Sequence, residues 1–136
     1  MLSKIELQTP AGENILDITS QVAVIVQESG VSEGICVLLA PHTTAGLALN
    51  SGLDPRTLQD ISEEFGRLVP TRVDFKHTYD TPADAAGHIK SVLMGGDLSL
   101  IITRGGILLG HSQSVLFCEF DGPRKRKVWV RILADV

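Results

Sequence analysis

The spacing of apolar side chains along the first part of the chain predicts two strands, a helix and a further strand. Apolar and polar residues alternate over 2–9, which is typical of a half-buried strand, and 12–19 offers a short second strand. Valines and isoleucines at helical spacing predict a helix over about 20–30, ended by a glycine. The unbroken apolar run 34–40 predicts a strand buried on both faces.

Two more helices follow in the middle of the chain. Asp54 can cap a helix whose first residue is Pro55, and its inner stripe is predicted to be Leu58, Ile61, Phe65 and Leu68. After a polar segment, a threonine followed three residues later by an aspartate resembles a capping box. It predicts a third helix over about 82–94, stopped by paired glycines.

Strand-like patterns fill the last third of the chain. A tight hairpin is expected where Gly105-Gly106 separates two apolar runs, and 113–120 and 127–133 predict two more strands across a DGPRK turn. Helices concentrate in the first two-thirds and strands in the last third. This segregation favours an α+β fold, with 1–136 as a single domain.

Composition narrows the class of protein without indicating its chemistry. The 136 residues are 43% hydrophobic and 21% charged, with a formal net charge of -4, which excludes a disordered tail, a collagen-like repeat and a globally basic nucleic-acid binder. No apolar run approaches the ~20 residues of a membrane span, and no secretory signal is evident. Cys36 and Cys118 lie in apolar runs and are expected to be reduced thiols of a cytoplasmic protein, although a disulfide stays open.

Four histidines are the first candidates for chemistry. His42 follows the apolar strand in the segment PHTTAG, where Thr43 and its neighbours offer hydroxyls and backbone N–H groups to a phosphate or a metal-bound water. The alternative is a loop histidine that caps a turn. His111 precedes a predicted strand and is expected at the edge of a sheet.

Asp84 and His88 are four residues apart on the third predicted helix and therefore share one face. A carboxylate at that spacing can orient the imidazole, or both groups can bind one metal ion. A solvated pair of little consequence is the alternative.

Gly87 costs the helix roughly 1 kcal/mol relative to alanine, which indicates close packing or binding against the backbone there. His77, in the preceding polar segment, can complete a three-histidine set for a divalent metal with His42 and His88.

Five of the twelve basic residues fall within 124–131, in a run that begins just after Asp121-Gly122-Pro123. One interpretation is a solvated charged face. The other is an anion-binding turn for phosphate or pyrophosphate, with Arg124 best placed for bidentate contact. Nucleic acid is disfavoured, because the run is short and has no interleaved aromatic residues.

Three segments together resemble a known family. They are PHTTAGLALN with DP four residues on (41–55), HTYD to HIKSVLMG (77–95), and GHSQ to EFDGPRKR (110–126). In this order and spacing they are similar to the YjbQ-like family, also labelled secondary thiamine-phosphate synthase. The likeness covers nearly the whole chain.

The resemblance implies a largely antiparallel β-sandwich with about three helices, assembled as a homotrimer. It also implies weak thiamine phosphate synthase activity, in which hydroxymethylpyrimidine pyrophosphate is joined to thiazole phosphate and pyrophosphate is released. The histidines and acids of the family line a cleft that resembles a metal or anion site. Its pattern falls on His42, His77, His88, Asp84 and Lys90, and on Thr43, Asn50, Gln113 and Arg124.

The chain departs from the family pattern at two places. Ser51 stands where relatives commonly carry a glutamate after the asparagine, so a carboxylate is missing. His111 and Ser112 replace a Thr-Trp pair, which removes an aromatic ring that can stack on a pyrimidine. Either change can alter the substrate.

Three functions are compatible with these residues. In the first, a synthase, a divalent ion (zinc or magnesium) and cations such as Arg124 or Lys90 neutralise the leaving pyrophosphate, while His42, His88 and Asp84 are catalytic. The second is metal-dependent hydrolysis of a small phosphorylated substrate. The third is a trimeric metal- or anion-binding protein without catalysis. A chain of this size has little room for a deep pocket of its own, so a site shared between chains is expected.

Overall fold

Eight strands and three helices make up the chain, and the computed structural model describes all residues from Met1 to Val136. The strands are β1 (Leu2–Gln8), β2 (Gly12–Asp17), β3 (Gly34–Leu39), β4 (Ala45–Asn50), β5 (Asp97–Thr103), β6 (Gly106–Ile107), β7 (Ser114–Gly122) and β8 (Lys125–Ala134). The helices are α1 (Thr19–Ser29), α2 (Pro55–Leu68) and α3 (Pro82–Met94).

The strands form two antiparallel sheets. One has five strands in the order β1-β8-β3-β5-β6, and the other has three in the order β2-β7-β4. Strands β7 and β8 are consecutive in the chain yet belong to different sheets, and the connection between them contains a cis Gly122–Pro123 peptide bond. The predicted single α+β domain with a largely antiparallel sandwich and three helices is therefore confirmed.

The hydrophobic core lies between the two sheets. Alternate residues of β3 and β8, such as Cys36 and Val130, face Val115 and Phe117 of β7 in one cluster of 16 buried side chains. Each large apolar side chain buried there contributes roughly 1.5–3 kcal/mol, so this cluster is the main source of stability. The core also holds α1 in place through Val22 and Val26.

Helix α3 covers the outer side of the three-stranded sheet, where it packs on β7 and β4. A Cβ atom at Gly87 would lie 3.2 Å from Thr44 Cγ2 and 3.3 Å from the Phe120 carbonyl oxygen. Glycine at this position therefore allows the helix to approach the sheet closely. The close packing indicated by the sequence is present, with strands as the partner.

Three local predictions were wrong. Strand β3 is buried on one face only, because nothing in the chain covers the outer side of the five-stranded sheet, and Ile35 and Leu39 remain 42% and 47% exposed. Strand β4 was not predicted, since its small residues Ala45 and Gly46 carry little strand signal. Leu68 does not join the inner stripe of α2 but is exposed at the end of the helix.

The two cysteines are free and buried, as expected of reduced thiols. Burial raises the pKa of Cys36 to about 11 and that of Cys118 to about 12, so neither is a nucleophile near neutral pH. No helix combines the length and apolar character needed to cross a membrane.

A buried ion pair joins the two sheets at one end of the sandwich. Glu119 of β7 is completely buried and Arg126 of β8 is 7% exposed. Arg126 donates from Nε to Oε1 of Glu119 at 2.8 Å and from Nη2 to Oε2. The hydroxyl of Thr9 donates to Oε1 at 2.6 Å, and the backbone N–H of Asp121 donates to Oε2 at 3.1 Å.

These donors decide the charge state of the carboxyl group. Burial alone would raise the pKa of Glu119, but the hydrogen bonds from Arg126, Thr9 and Asp121 outweigh it and lower the pKa below its usual value. Glu119 is consequently ionised opposite Arg126. The charges compensate each other in a place where either alone would be costly.

Replacing Glu119 by glutamine should destabilise the fold strongly, because Arg126 would keep its charge in a buried place without a counter-charge. We expect the free energy of unfolding to fall by about 3–5 kcal/mol, measured by urea denaturation at neutral pH. The matched control is Glu64→Gln on α2, which breaks an exposed ion pair with Arg67 and should change stability by less than about 1 kcal/mol. Equal losses in the two variants would contradict this role for the buried pair.

Candidate metal site

Three side chains that can bind a metal converge at the first turns of α3. The Nε2 atoms of His77 and His88 lie 3.2 Å and 3.1 Å from the same oxygen, Oδ2 of Asp84. All three ligand atoms lie within 4.8 Å of one another. Asp84 is 5% exposed, whereas both imidazoles are partly exposed. The arrangement is a buried carboxylate with two histidines at the surface.

Local sequence signals position this cluster. Pro82 opens α3, and the Thr81 hydroxyl accepts a hydrogen bond from the Asp84 backbone N–H at 3.1 Å, as the capping box predicts. Asp84 and His88 then stand one turn apart on the same face. His77 comes from the segment 69–81 between α2 and α3, which has no regular secondary structure.

The second nitrogen of His88 determines how its ring is protonated. Nδ1 lies 3.1 Å from the backbone oxygen of Thr43, and a carbonyl oxygen only accepts, so Nδ1 carries the hydrogen. In a neutral ring, Nε2 then presents its lone pair to Oδ2 of Asp84, which is also an acceptor. Two acceptors 3.1 Å apart require a proton or a cation between them.

A divalent metal ion satisfies this requirement. Around a tetrahedral zinc ion with ligand distances near 2.0–2.1 Å, neighbouring ligand atoms are about 3.4 Å apart, close to the two Nε2–Oδ2 distances here. The rings of His77 and His88 meet edge to face with centroids 5.2 Å apart. Two imidazoles and one carboxylate suit zinc better than magnesium, which prefers an all-oxygen shell.

Arg124 places a positive charge next to this cluster. Its Nη2 atom lies 4.0 Å from Oδ1 of Asp84 and donates to Oδ2 of Asp121 at 2.8 Å. Hydrogen bonding to Asp121 raises the pKa of the guanidinium. About half of the Arg124 side chain is exposed. It is therefore available to an anion that reaches the cluster.

Asp121 itself is a residue that the sequence reasoning missed. It holds Arg124 through both its carboxylate and its backbone oxygen, which accepts from Nε at 3.1 Å. In the sequence, the three-residue spacing of Asp121 and Arg124 across the turn was the feature that could have indicated this contact. Thr43 also contributes in an unexpected way, because its carbonyl, and not its side chain, orients His88.

His42 lies outside the cluster. The backbone N–H of Lys127 donates to its Nε2 at 3.0 Å, so the imidazole continues the hydrogen bonding of β8 beyond the end of β3. Burial, followed by the charge of Arg126, lowers the pKa of His42. Within one chain His42 therefore does not join His77 and His88, and it does not cap its own turn either, because its ring nitrogen is bound to the backbone of β8.

Three further residues of the expected site lie elsewhere in the chain. Lys90 is 1% exposed and pairs with Glu13, so its ammonium group is enclosed and does not reach the cluster. Asn50 stands opposite Ser114, at the other end of β4 from the cluster. Gln113 accepts from the backbone N–H of Gly110 at 2.8 Å. His111 is exposed in the turn before β7 and not on a sheet edge.

Comparison with known proteins gives consistent matches along the whole chain. The sequence model of the family described as "UPF0047 protein YjbQ-like" matches residues 3–135. The UPF0047 protein MJ1081 of Methanocaldococcus jannaschii is 39% identical, covering 99% of this chain and 96% of its own.

Two crystal structures share the fold. A YbjQ-like protein of Sulfolobus solfataricus has a TM-score of 0.93 at 27% identity, and the match covers 99% of this chain and 97% of the other. A yjbq/upf0047 family protein of Clostridium acetobutylicum has a TM-score of 0.90 at 40% identity, covering 96% and 99%.

An NMR titration, with the His42 signal assigned as the one lost in His42→Ala, should give His42 a midpoint below the usual 6.5. The reason is that burial and Arg126 disfavour the charged ring, so His42 binds its proton less readily in the folded chain than in the unfolded one. The contribution of neutral His42 to the free energy of unfolding is thus complete above pH 6.5 and decreases as the pH falls below that value. A His42 midpoint at or above 6.5 would contradict the assigned environment.

Proposed function

The chain belongs to the YjbQ-like UPF0047 family, and on that premise we propose that it is a metal-dependent enzyme acting on small phosphorylated substrates. The proposed reaction is of the thiamine phosphate synthase type. One observation carries the proposal: His77, Asp84 and His88 converge on one point, with Arg124 beside them. This combines a metal-binding set with a cation suited to a phosphate. We place the reaction in the cytoplasm, where free thiols such as Cys36 and Cys118 persist.

A divalent ion in this site would supply a Lewis acid that neutralises negative charge on a phosphate. His77, His88 and Asp84 would hold it, and the donor set favours zinc. The Thr43 carbonyl keeps the lone pair of His88 Nε2 directed at the cluster by accepting the hydrogen of Nδ1. The orientation of the His88 ring is thus fixed by the backbone before any substrate binds.

In the synthase reaction the bond between the pyrimidine methylene carbon and the pyrophosphate oxygen breaks, and the oxygen leaves with the electron pair. The thiazole nitrogen forms the new bond to that carbon. Arg124 binds the departing pyrophosphate, whose charge increases as the bond breaks, so its attraction strengthens in the transition state. No covalent bond to the protein and no proton transfer from it are needed for this step.

Hydrolysis of a phosphorylated substrate is a second candidate, favoured by the exposure of the cluster. The side chains of His77 and His88 are 46% and 39% exposed, so water has direct access to the ligand atoms. In this reaction water replaces the thiazole nitrogen as the acceptor of the transferred group. The two reactions share the metal and Arg124 but differ in their products.

Metal content and product analysis test both candidates. We expect about one zinc ion per chain, and we expect His77→Ala, Asp84→Asn and His88→Ala each to weaken zinc affinity at least roughly 100-fold. His111→Ala, an exposed histidine outside the cluster, is the matched control and should bind zinc normally. With both thiamine precursors, the wild type should release pyrophosphate and thiamine phosphate in equal amounts, and Arg124→Gln should raise the KM for the pyrophosphate substrate roughly tenfold.

The outcomes separate the candidates. Pyrophosphate release without thiamine phosphate would favour hydrolysis over synthesis. Zinc binding without turnover of either kind would leave a metal-binding protein that is not an enzyme. Failure of every cluster variant to change zinc affinity would show that the metal, if bound, lies elsewhere and would overturn the proposed site.

We also propose that the chain forms the homotrimer implied by its resemblance to the family, through the uncovered side of the five-stranded sheet. Ile35 stands opposite both Ile101 and Leu133 in neighbouring strands, and all three side chains are exposed. Val37 and Leu39 of the same strand extend this row as an apolar stripe, which has Ser99 and Arg131 on its two sides. Contiguous apolar patches of this kind are typical of contacts between subunits.

Light scattering should give a mass of about three times the 14.6 kDa chain for the wild type, since association would bury this apolar surface. Ile101→Lys places a charge within the surface, next to Ile35, and should shift the mass toward that of a single chain. Val92→Lys, at an exposed position on α3, is the control and should leave the mass unchanged. A monomeric wild type, or equal effects of the two variants, would contradict this interface.

A further inference from the structure

A cavity adjoins the candidate metal site and has no role in the proposal above. It lies between the segment 69–81 and α3, has a volume of about 400 Å³, and has both His77 and His88 in its wall. This volume falls in the usual range for sites that bind small molecules. A molecule inside the cavity would touch the metal-binding histidines directly.

The cavity wall contains an aromatic ring that is partly covered by a cation. Phe75 is half-buried, and the guanidinium carbon of Arg72 lies 4.6 Å from the centre of its ring. Arg72 is held from the other side by Asp74, with Nε and Oδ1 2.9 Å apart. One face of the Phe75 ring is thus covered by the guanidinium of Arg72, and a planar ligand ring would stack on the other face or take the place of the guanidinium.

The charges around the cavity favour an anionic ligand. Arg72 pairs with Asp74, so the positive charge of Lys76 is left over and the three residues together carry a net charge of +1. Lys76 forms no ion pair within the chain. On the far side of Asp84, Arg124 adds another positive charge. Phosphate oxygens placed near the cluster would meet cations on both sides.

From this placement we propose that the cavity is the binding subsite for the ring of an aromatic phosphorylated substrate. The ring stacks on Phe75, Lys76 attracts the phosphate, and the phosphate lies toward His77, His88 and Arg124. This rests on the proposed function for the metal, but the stacking contact with Phe75 does not depend on it. Phe75 and Lys76 are therefore substrate-binding residues that select for an aromatic ring and a negative charge.

Binding of phenyl phosphate and inorganic phosphate, measured by NMR titration of zinc-loaded and zinc-free protein, tests the subsite. The two probes carry similar charge, so the ratio of their dissociation constants reports the contribution of the ring. We expect phenyl phosphate to bind roughly fivefold more tightly. Phe75→Leu should reduce this ratio to about one without changing zinc content.

Two further variants separate stacking from charge and from general disturbance of the segment. Tyr79→Leu removes an exposed aromatic ring from the same segment, outside the cavity wall, and should keep the wild-type ratio. Lys76→Gln should weaken the binding of both probes by a similar factor and leave the ratio of their dissociation constants unchanged, because it removes charge alone. Retained zinc binding shows that a variant is folded at the site.

An unchanged ratio in Phe75→Leu, or no preference for phenyl phosphate in the wild type, would overturn the subsite. The result is independent of the metal proposal. If the protein binds no zinc but still prefers phenyl phosphate, and the preference is lost in Phe75→Leu, the subsite is supported and the metal centre is contradicted. If the protein binds zinc but shows no preference between the two probes, the metal centre is supported and the subsite is contradicted.

Discussion

The buried pair of Glu119 and Arg126 is the interaction on which the rest of the molecule depends. It ties the three-stranded sheet to the five-stranded one at the end where the candidate site lies. Arg126 also donates to the hydroxyl of Thr44 at 2.8 Å, which fixes the start of β4 and with it the neighbouring Thr43 carbonyl that orients His88. On the other side, Glu119 accepts from the Asp121 backbone, and Asp121 holds Arg124. One ion pair therefore supports both the histidine and the cation of the site.

Some of this architecture was predictable from the sequence because the signals are local. The cap of α3 follows from a threonine, a proline and an aspartate within four positions, and the spacing of Asp84 and His88 places them together on that helix. His77 is only seven residues from Asp84. The partner of His42 was not predictable, because its imidazole binds the backbone of Lys127, 85 residues away in sequence. Its position depends on where β3 ends against β8, which local patterns do not specify.

The basic run shows why a count of charges does not predict where each charge lies. A strand directs successive side chains to opposite faces, so Lys125 and Lys127 are exposed while Arg126 between them is buried. Arg124, just before the strand, points to Asp121 instead. The run therefore divides into two exposed lysines, one buried arginine, and Arg124 beside the candidate site. A buried arginine needs a buried acid, and no spacing rule identifies Glu119 across a turn that changes sheets.

The proposed metal site and the proposed aromatic subsite share one segment of chain, so the two would be coupled. His77 binds at the cluster and Phe75, two residues before it, lines the cavity, while Asp84 and His88 are held by the hydrogen-bonded turns of α3. Fixing His77 on a metal ion restricts the backbone that carries Phe75, so part of the ordering cost of the substrate subsite is met before the substrate arrives. By linkage, a ligand stacked on Phe75 must strengthen metal binding by the same factor as the metal strengthens ligand binding.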